Sequence, residues 1–194
     1  MMRVISSSTC SDLKCVRCII SRKCGQLLYP RMHRNWLTRA MQLLIAACGK
    51  WKRSPEKELF DAYAGRLHWP LTLKEVAHKP HADNQTQRTS ETAALLDAAK
   101  SFSAHHIIAL DEQGKHLTSP KLAEIIGRWQ DAGEPKLACL VGGDVGLDRE
   151  LLKACDMTIA FGAMTWPHLL ARALLAEQLY RASTILQGHP YHRV

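Results

Sequence analysis

The chain has 194 residues, 46% of them hydrophobic, enough for one domain of ordinary size with a sizeable core. No apolar run approaches the ~20 residues of a membrane span, so the chain reads as soluble. The net charge of +8 is concentrated in residues 1–40, where eight Lys/Arg face only Asp12; residues 41–194 hold 18 Lys/Arg against 17 Asp/Glu. Global basicity therefore gives no argument that the main domain binds nucleic acid.

Residues 1–40 are rich in Ser, nearly free of acids and without clear periodicity. Three readings compete: a targeting peptide, a metal site, and an extension upstream of a domain that begins at Met41. Arg- and Ser-rich, acid-poor composition suits a transit peptide. The spacing C-x4-C-x2-C-x5-C over Cys10, Cys15, Cys18 and Cys24 has only one short pair, whereas zinc sites use two pairs held apart by a spacer. The third reading is preferred, with residues 1–40 disordered or outside the native domain and residues 41–194 the domain proper. Beyond the leader only Cys48, Cys139 and Cys155 remain. They form no disulfide framework, which suits a reducing cytosol, and Cys139, inside an apolar run, reads as buried and inert.

From Met41 the pattern predicts alternating strands and helices. Met41–Cys48 is an apolar run of strand length ended by Gly49. Ser54-Pro55-Glu56 starts a helix to about Leu67, with Leu59, Phe60, Tyr63 and Leu67 on one face. Leu71–Ala77 is a second strand, and residues 78–89 read as a polar mobile loop in which His78 and His81 are solvated rather than metal ligands. Thr89-Ser90-Glu91 opens a helix to about Ser103, with Ala93, Leu95, Leu96 and Ala99 inward. His106–Leu110 is a third strand and Asp111–Thr118 a loop. Ser119-Pro120 starts a helix with Leu122, Ile125, Ile126 and Trp129 as its apolar face, and Lys136–Val141 is a fourth strand.

The loop Gly142-Gly143-Asp144-Val145-Gly146 follows, then a helix Arg149–Ala154 capped by Asp148, a fifth strand Met157–Phe161, and a loop with Gly162 running into Trp166-Pro167. A last helix to about Arg181 carries Leu169, Leu170, Ala173, Leu174, Ala176, Leu179 and Tyr180 at helical spacing, broken by His168, Arg172, Glu177, Gln178 and Arg181. The alternation predicts an α/β fold with a mainly parallel sheet and helices on both faces.

In such sheets ligands bind beyond the carboxyl ends of the strands. Three strand ends carry unusual loops: Leu110-Asp111, Gly142–Gly146 and Phe161–Trp166. GGDVG is neither GxGxxG nor a P-loop, and Asp144 would repel a phosphate. Its plain reading is a tight turn; its functional reading is close backbone approach to a ligand. No catalytic triad or metal site stands out, and His189 with His192 lacks a third ligand. The tail residues His189, Tyr191, His192 and Arg193 mix basic and aromatic groups, which suits RNA phosphates and an unpaired base; an ordinary docked tail is the alternative.

At this point the residues resemble a known family. VGGDVGLDRELL is similar to an [IV]-G-G-x-x-G-L loop, and T-W-P-H-x-L-x-R-x-L-L-x-E-Q-L-Y-R-A and H-P-Y-H-R to the helix and terminal motif that follow it. LDEQGK at 110–115 and QLLIAACGKWK at 42–52 fit as well. Together they resemble the large-subunit ribosomal RNA methyltransferase H family, pseudouridine N3-methyltransferases of the SPOUT class, from about Met41 to Val194. The resemblance implies a C-terminal trefoil knot, an exception to the rule that chains do not thread themselves. It also implies a homodimer with the active site at or near the subunit interface, and S-adenosylmethionine bound by Leu110, Gly142, Phe161, Gly162, Ala163, Met164, Thr165 and Trp166. The implied substrate is 23S rRNA in the assembled ribosome, with no metal and no membrane. His192, Tyr191 and Arg172 are then the candidates for catalysis, His192 foremost for proton handling, and His189 and Arg193 for RNA contact. The chain departs from the family's pattern at Asp144-Val145, where many members carry Pro-Glu or Ser-Asn, and after strand two, where it reads HKPHADNQTQR.

Overall fold

The computed structural model describes residues 40–77 and 83–191. The expectations for residues 1–39, His78, His81, His192 and Arg193 lie outside the described residues. Five strands form one sheet: β1 (Gln42–Cys48), β2 (Leu71–Val76), β3 (His106–His116), β4 (Lys136–Val141) and β5 (Met157–Ala160). Their spatial order is β2-β1-β4-β3-β5, and every neighbouring pair is parallel.

Strand periodicity divides the core. In β1, Leu43, Ile45 and Ala47 join one apolar cluster while Leu44, Ala46 and Cys48 join the other. Cys139 and Leu140 of β4 divide in the same way. Side chains alternate across a strand, so a strand apolar at every position is one covered on both faces. The first face carries α1 (Pro55–Arg66), α3 (Ser119–Ala132) and α5 (His168–Leu186), through Phe60, Ile126, Leu175 and Leu179 among others. The second carries α2 (Asn84–Ser101) and the short α4 (Arg149–Leu152), through Leu95, Ala99 and Leu152. The expected α/β architecture, with a parallel sheet and helices on both faces, is what the chain adopts.

Helix ends follow local chemistry. Ser54 caps α1, accepting from the Lys57 N–H at 3.4 Å with Pro55 in the first turn. Thr118, one residue before the expected start, caps α3, which stops where Gly133 takes a left-handed turn at φ 85°.

Several boundaries differ from the sequence expectation. Leu59 is 40% exposed, because it lies ~100° around α1 from the buried Phe60. The segment read as loop through residue 89 is helical from Asn84, capped by Asp83, whose carboxylate accepts from the Thr86 N–H at 2.8 Å. The inner face of that first part of α2 is polar, with Gln87, Glu91 and Thr92 buried, so apolar periodicity could not reveal it. Asp111–His116 continues β3 instead of forming a loop. Ile159 pairs first with Leu110 and again, after a shift of register, with Lys115. At Gly114 a Cβ would stand 2.4 Å from the Ile159 carbonyl carbon, so the two backbones touch where only glycine fits. Helix α4 spans only four residues, and α5 runs on to Leu186 with Pro167 as its N-cap. The trefoil knot implied by the resemblance fits this architecture; what is directly displayed is the doubled pairing of β3 with β5.

Candidate functional site: a pocket at the ends of β3, β4 and β5

Leu110 and Val141 are partners at the end of the β3–β4 pairing, and with Ala160, the last residue of β5, they line a cavity of about 470 Å³, within the usual range for small-ligand sites. Leu110, Gly142, Phe161, Gly162, Met164, Thr165 and Trp166 all line it, and of the expected cofactor residues only Ala163 does not. Gly162 has φ 127°, a conformation that side-chain-bearing residues rarely adopt, and no heavy atom stands near its would-be Cβ. It is needed there for backbone shape rather than for space. Met164 is 75% and Trp166 41% exposed, so the loop offers apolar surface at the mouth.

The glycine loop is clamped from behind by α2. The Arg88 Nε–H donates to the Val145 carbonyl at 2.8 Å. The Asp148 carboxylate accepts from Thr89 Oγ1–H at 2.7 Å and from Gln85 Nε2–H at 2.9 Å, and the Asp148 N–H donates to Thr92 Oγ1 at 2.8 Å. Gln85, Arg88 and Thr89 escape the sequence reading because they fall in the segment read as a loop. The signal that could have found them is Asp83 three residues ahead of Thr86, a capping spacing.

From the other side the far end of β3 meets the loop after β5, where Thr165 Oγ1–H donates to Glu112 Oε2 at 3.3 Å. Across the mouth, His168 Nδ1, on the first residue of α5, lies 2.9 Å from Asp144 Oδ1. The ionisable groups around the cavity are Asp111, Glu112, Asp144, Arg88, Arg149 and His168. Three carboxylates face two guanidiniums and His168, so the lining is of mixed charge, and its glycine loop lacks the Lys-Ser/Thr ending of a phosphate loop. Among the described residues no group of three His, Cys, Asp or Glu could hold a metal ion.

Arg172 does not reach the pocket. It is fully buried, donating to the Cys48 and Gly49 carbonyls at the end of β1, with its guanidinium 5.2 Å from the Trp51 ring. Burial pulls its pKa below the usual value, and Glu75 opposes that pull. The expectation of Arg172 as a catalytic residue thus meets a buried guanidinium spent on backbone carbonyls: the helical pattern marks a polar position but does not say which way it faces.

The tail stands elsewhere. The Tyr191 hydroxyl donates to Glu177 Oε1 at 3.1 Å, and its ring packs edge-on against Tyr180 at 4.8 Å with Arg181 over it at 4.9 Å. Burial, with Tyr63 and Glu177 beside it, pushes the phenol above its usual range, so Tyr191 acts there as a donor rather than a base. His189 is exposed, with its N–H on the Thr184 carbonyl at 2.9 Å. The pocket meets the first turn of α5, whereas the chain leaves the helix at its other end and Tyr191 folds back onto Glu177, half-way along its 19 residues.

The cysteines beyond the leader are quiet. Burial pushes the Cys139 and Cys48 thiols up to about 12, the latter aided by Glu91.

The family described as "Predicted SPOUT methyltransferase" matches residues 41–192. The ribosomal RNA large subunit methyltransferase H of Rhodospirillum centenum is 44% identical over 153 residues, covering 79% of this chain and 99% of that protein. Those of Paramagnetospirillum magneticum and Zymomonas mobilis are each 46% identical, with the same coverage. Among solved structures, a probable methylase family protein from Haemophilus influenzae shares the fold at TM-score 0.50 and 12% identity, over 79% of this chain and 71% of that one. With its whole described fold inside the family match and relatives of this identity along nearly their full length, the chain belongs to the SPOUT methyltransferases, in the ribosomal RNA large subunit methyltransferase H family.

Proposed function

We propose that the protein transfers a methyl group from S-adenosylmethionine to N3 of a pseudouridine in 23S rRNA, acting on the assembled ribosome as a homodimer. The observation that carries the reading is the pocket itself. A cavity formed by three strand ends, rich in backbone and apolar surface, edged by carboxylates and without a phosphate loop, suits a cationic sulfonium nucleoside. That donor supplies an electrophilic methyl group when bound. Leu110, Gly142 and the 161–166 loop hold it, and the α2 clamp fixes the glycine loop so that donor and acceptor meet in line, which supplies much of the rate.

The homodimer is supported by the length of α5. Tyr191 is held on Glu177, nine residues along α5 from His168 at the pocket edge, about 13 Å of helix rise. The tail of a second copy can bring its His192 and Arg193 to the mouth, where Met164 and Trp166 offer apolar surface. The near-neutral balance of residues 41–194 suits recognition of a shaped ribosomal surface over a long basic groove. A ribosomal substrate carries a cytoplasmic location with it.

The test is transfer of labelled methyl to 70S particles and to free 23S rRNA, followed by mapping of the modified nucleotide. The expected result is one N3-methylated pseudouridine, formed on 70S particles in preference to free RNA. A mark on tRNA or on another nucleotide would replace the substrate part of the reading. Failure to bind the donor, with and without ribosomes, would remove the enzymatic part.

A further inference from the structure

Methylation of a ring nitrogen that carries a proton needs a group to take that proton, and the inference here rests on the methyl-transfer reading above. We propose that His168 is the proton acceptor of the transfer step and that Asp144 is its positioning residue.

The other ionisable groups lining the pocket are less suited. Arg88 and Arg149 are donors only, with no lone pair to offer. The Asp111 carboxylate accepts from the Gln113 N–H and that of Glu112 from the Thr165 hydroxyl, whereas an imidazole can keep a proton on one nitrogen and offer a lone pair on the other. Tyr191 is committed as a donor to Glu177.

Geometry selects His168 further. It opens α5 at the pocket edge, and Asp144 reaches it from a different strand end, its Oδ1 2.9 Å from Nδ1. A carboxylate opposite Nδ1 keeps the proton on that nitrogen and leaves the lone pair on Nε2. In the transfer step the N3–H bond breaks toward Nε2. N3 bonds to the methyl carbon, and the carbon–sulfur bond breaks with its electron pair staying on sulfur as a neutral thioether. The imidazolium is balanced by the Asp144 carboxylate. Both side chains meet solvent, at 34% and 75% exposure, so the proton then leaves to water.

The experiment is single-turnover methyl transfer to 70S particles from about pH 5.5 to 9, with wild type, His168→Gln, Asp144→Asn and His192→Gln. Donor affinity is measured in parallel by calorimetry. His168→Gln should slow the chemical step by ~10²-fold or more and abolish the acid limb of the profile, with donor Kd within about twofold. Asp144→Asn, a change on an exposed loop that does not threaten folding, should slow the step about tenfold and move the acid limb to lower pH, because a lost anion disfavours the imidazolium. His192→Gln should weaken ribosome affinity and leave the acid limb in place. A His168→Gln enzyme with the wild-type rate and profile overturns the proposal, as does an Asp144→Asn limb that does not move, or an acid limb that follows His192. Lost donor binding in His168→Gln would mark the residue as structural and also overturn it. If wild-type protein binds the donor but transfers nothing to ribosomes, the parent reading falls; if wild type is active and His168→Gln is unchanged, only this one does.

Discussion

A single guanidinium decides how β1 ends. Parallel strands leave carbonyls exposed at their carboxyl ends, and buried carbonyls need partners. Arg172 supplies them to Cys48 and Gly49 from α5, so one side chain ties the first strand to the last helix. Replacing it with Met keeps the bulk and removes the donors, leaving acceptors buried at about 1–3 kcal/mol each. Arg172→Met is therefore expected to lose about 2–4 kcal/mol in urea unfolding, while donor Kd changes by less than about threefold. Intact stability with lost methyl transfer would return Arg172 to the reaction. Gly162 is the opposite case. It touches nothing, yet its φ of 127° shapes the pocket loop. Gly162→Ala strains that loop by about 1 kcal/mol or more, and is expected to weaken donor binding, read by calorimetry, with little change in unfolding midpoint.

At the scale of elements, the start of α2 matters most, because Gln85, Arg88, Thr89 and Thr92 hold the glycine loop only while that turn is helical. The turn depends on Asp83, whose pKa is depressed, first by the backbone N–H of Thr86 and then by its hydroxyl. A depressed carboxylate contributes stability that is present above its unfolded-state value and lost as pH falls through the folded one. Protection of amides 84–89 against hydrogen exchange should thus fall as pH drops below the ordinary carboxylate range. Asp83→Ala should show the same loss at neutral pH, together with weaker donor binding. Unchanged protection in Asp83→Ala would separate the cap from the pocket. This turn was also the least legible part of the sequence. The strands could be read because burial on both faces makes them continuously apolar, as in Leu43–Cys48 and Leu137–Val141. The three pocket loops could be read from glycines and position. The first turns of α2 carry only the Asp83 cap as a local sign, since their inner face is polar, and the far half of β3 carries none, since it pairs with the β5 backbone, remote in sequence. Arg172 was misplaced for a related reason: periodicity locates a polar residue on a helix without revealing that two carbonyls wait on the inner side.

Over the whole molecule, charge and geometry each lead to an experiment. Residues 1–40 hold nearly all the net charge, and the family match begins at 41. Protein beginning at Met41 is expected to keep donor affinity and methyl transfer, measured side by side with the full chain; a collapse of either would give the leader a function. Geometry leads further. If pocket and tail work together only across two copies, each site needs one intact pocket and one intact tail from different chains. A variant lacking residues 189–194 and a Gly162→Val variant should each be inactive as homodimers. Gly162 lies in the loop before α5 and Tyr191 packs on Glu177 and Tyr180, so the two changes alter different parts of the chain. After unfolding and co-refolding in equal amounts, half of the dimers are mixed and each holds one complete site, so activity should return to about a quarter of wild type. Sedimentation would show dimers throughout. No recovery from mixed dimers would place pocket and tail action within one chain, and would require the tail to extend from Glu177 along the first half of α5.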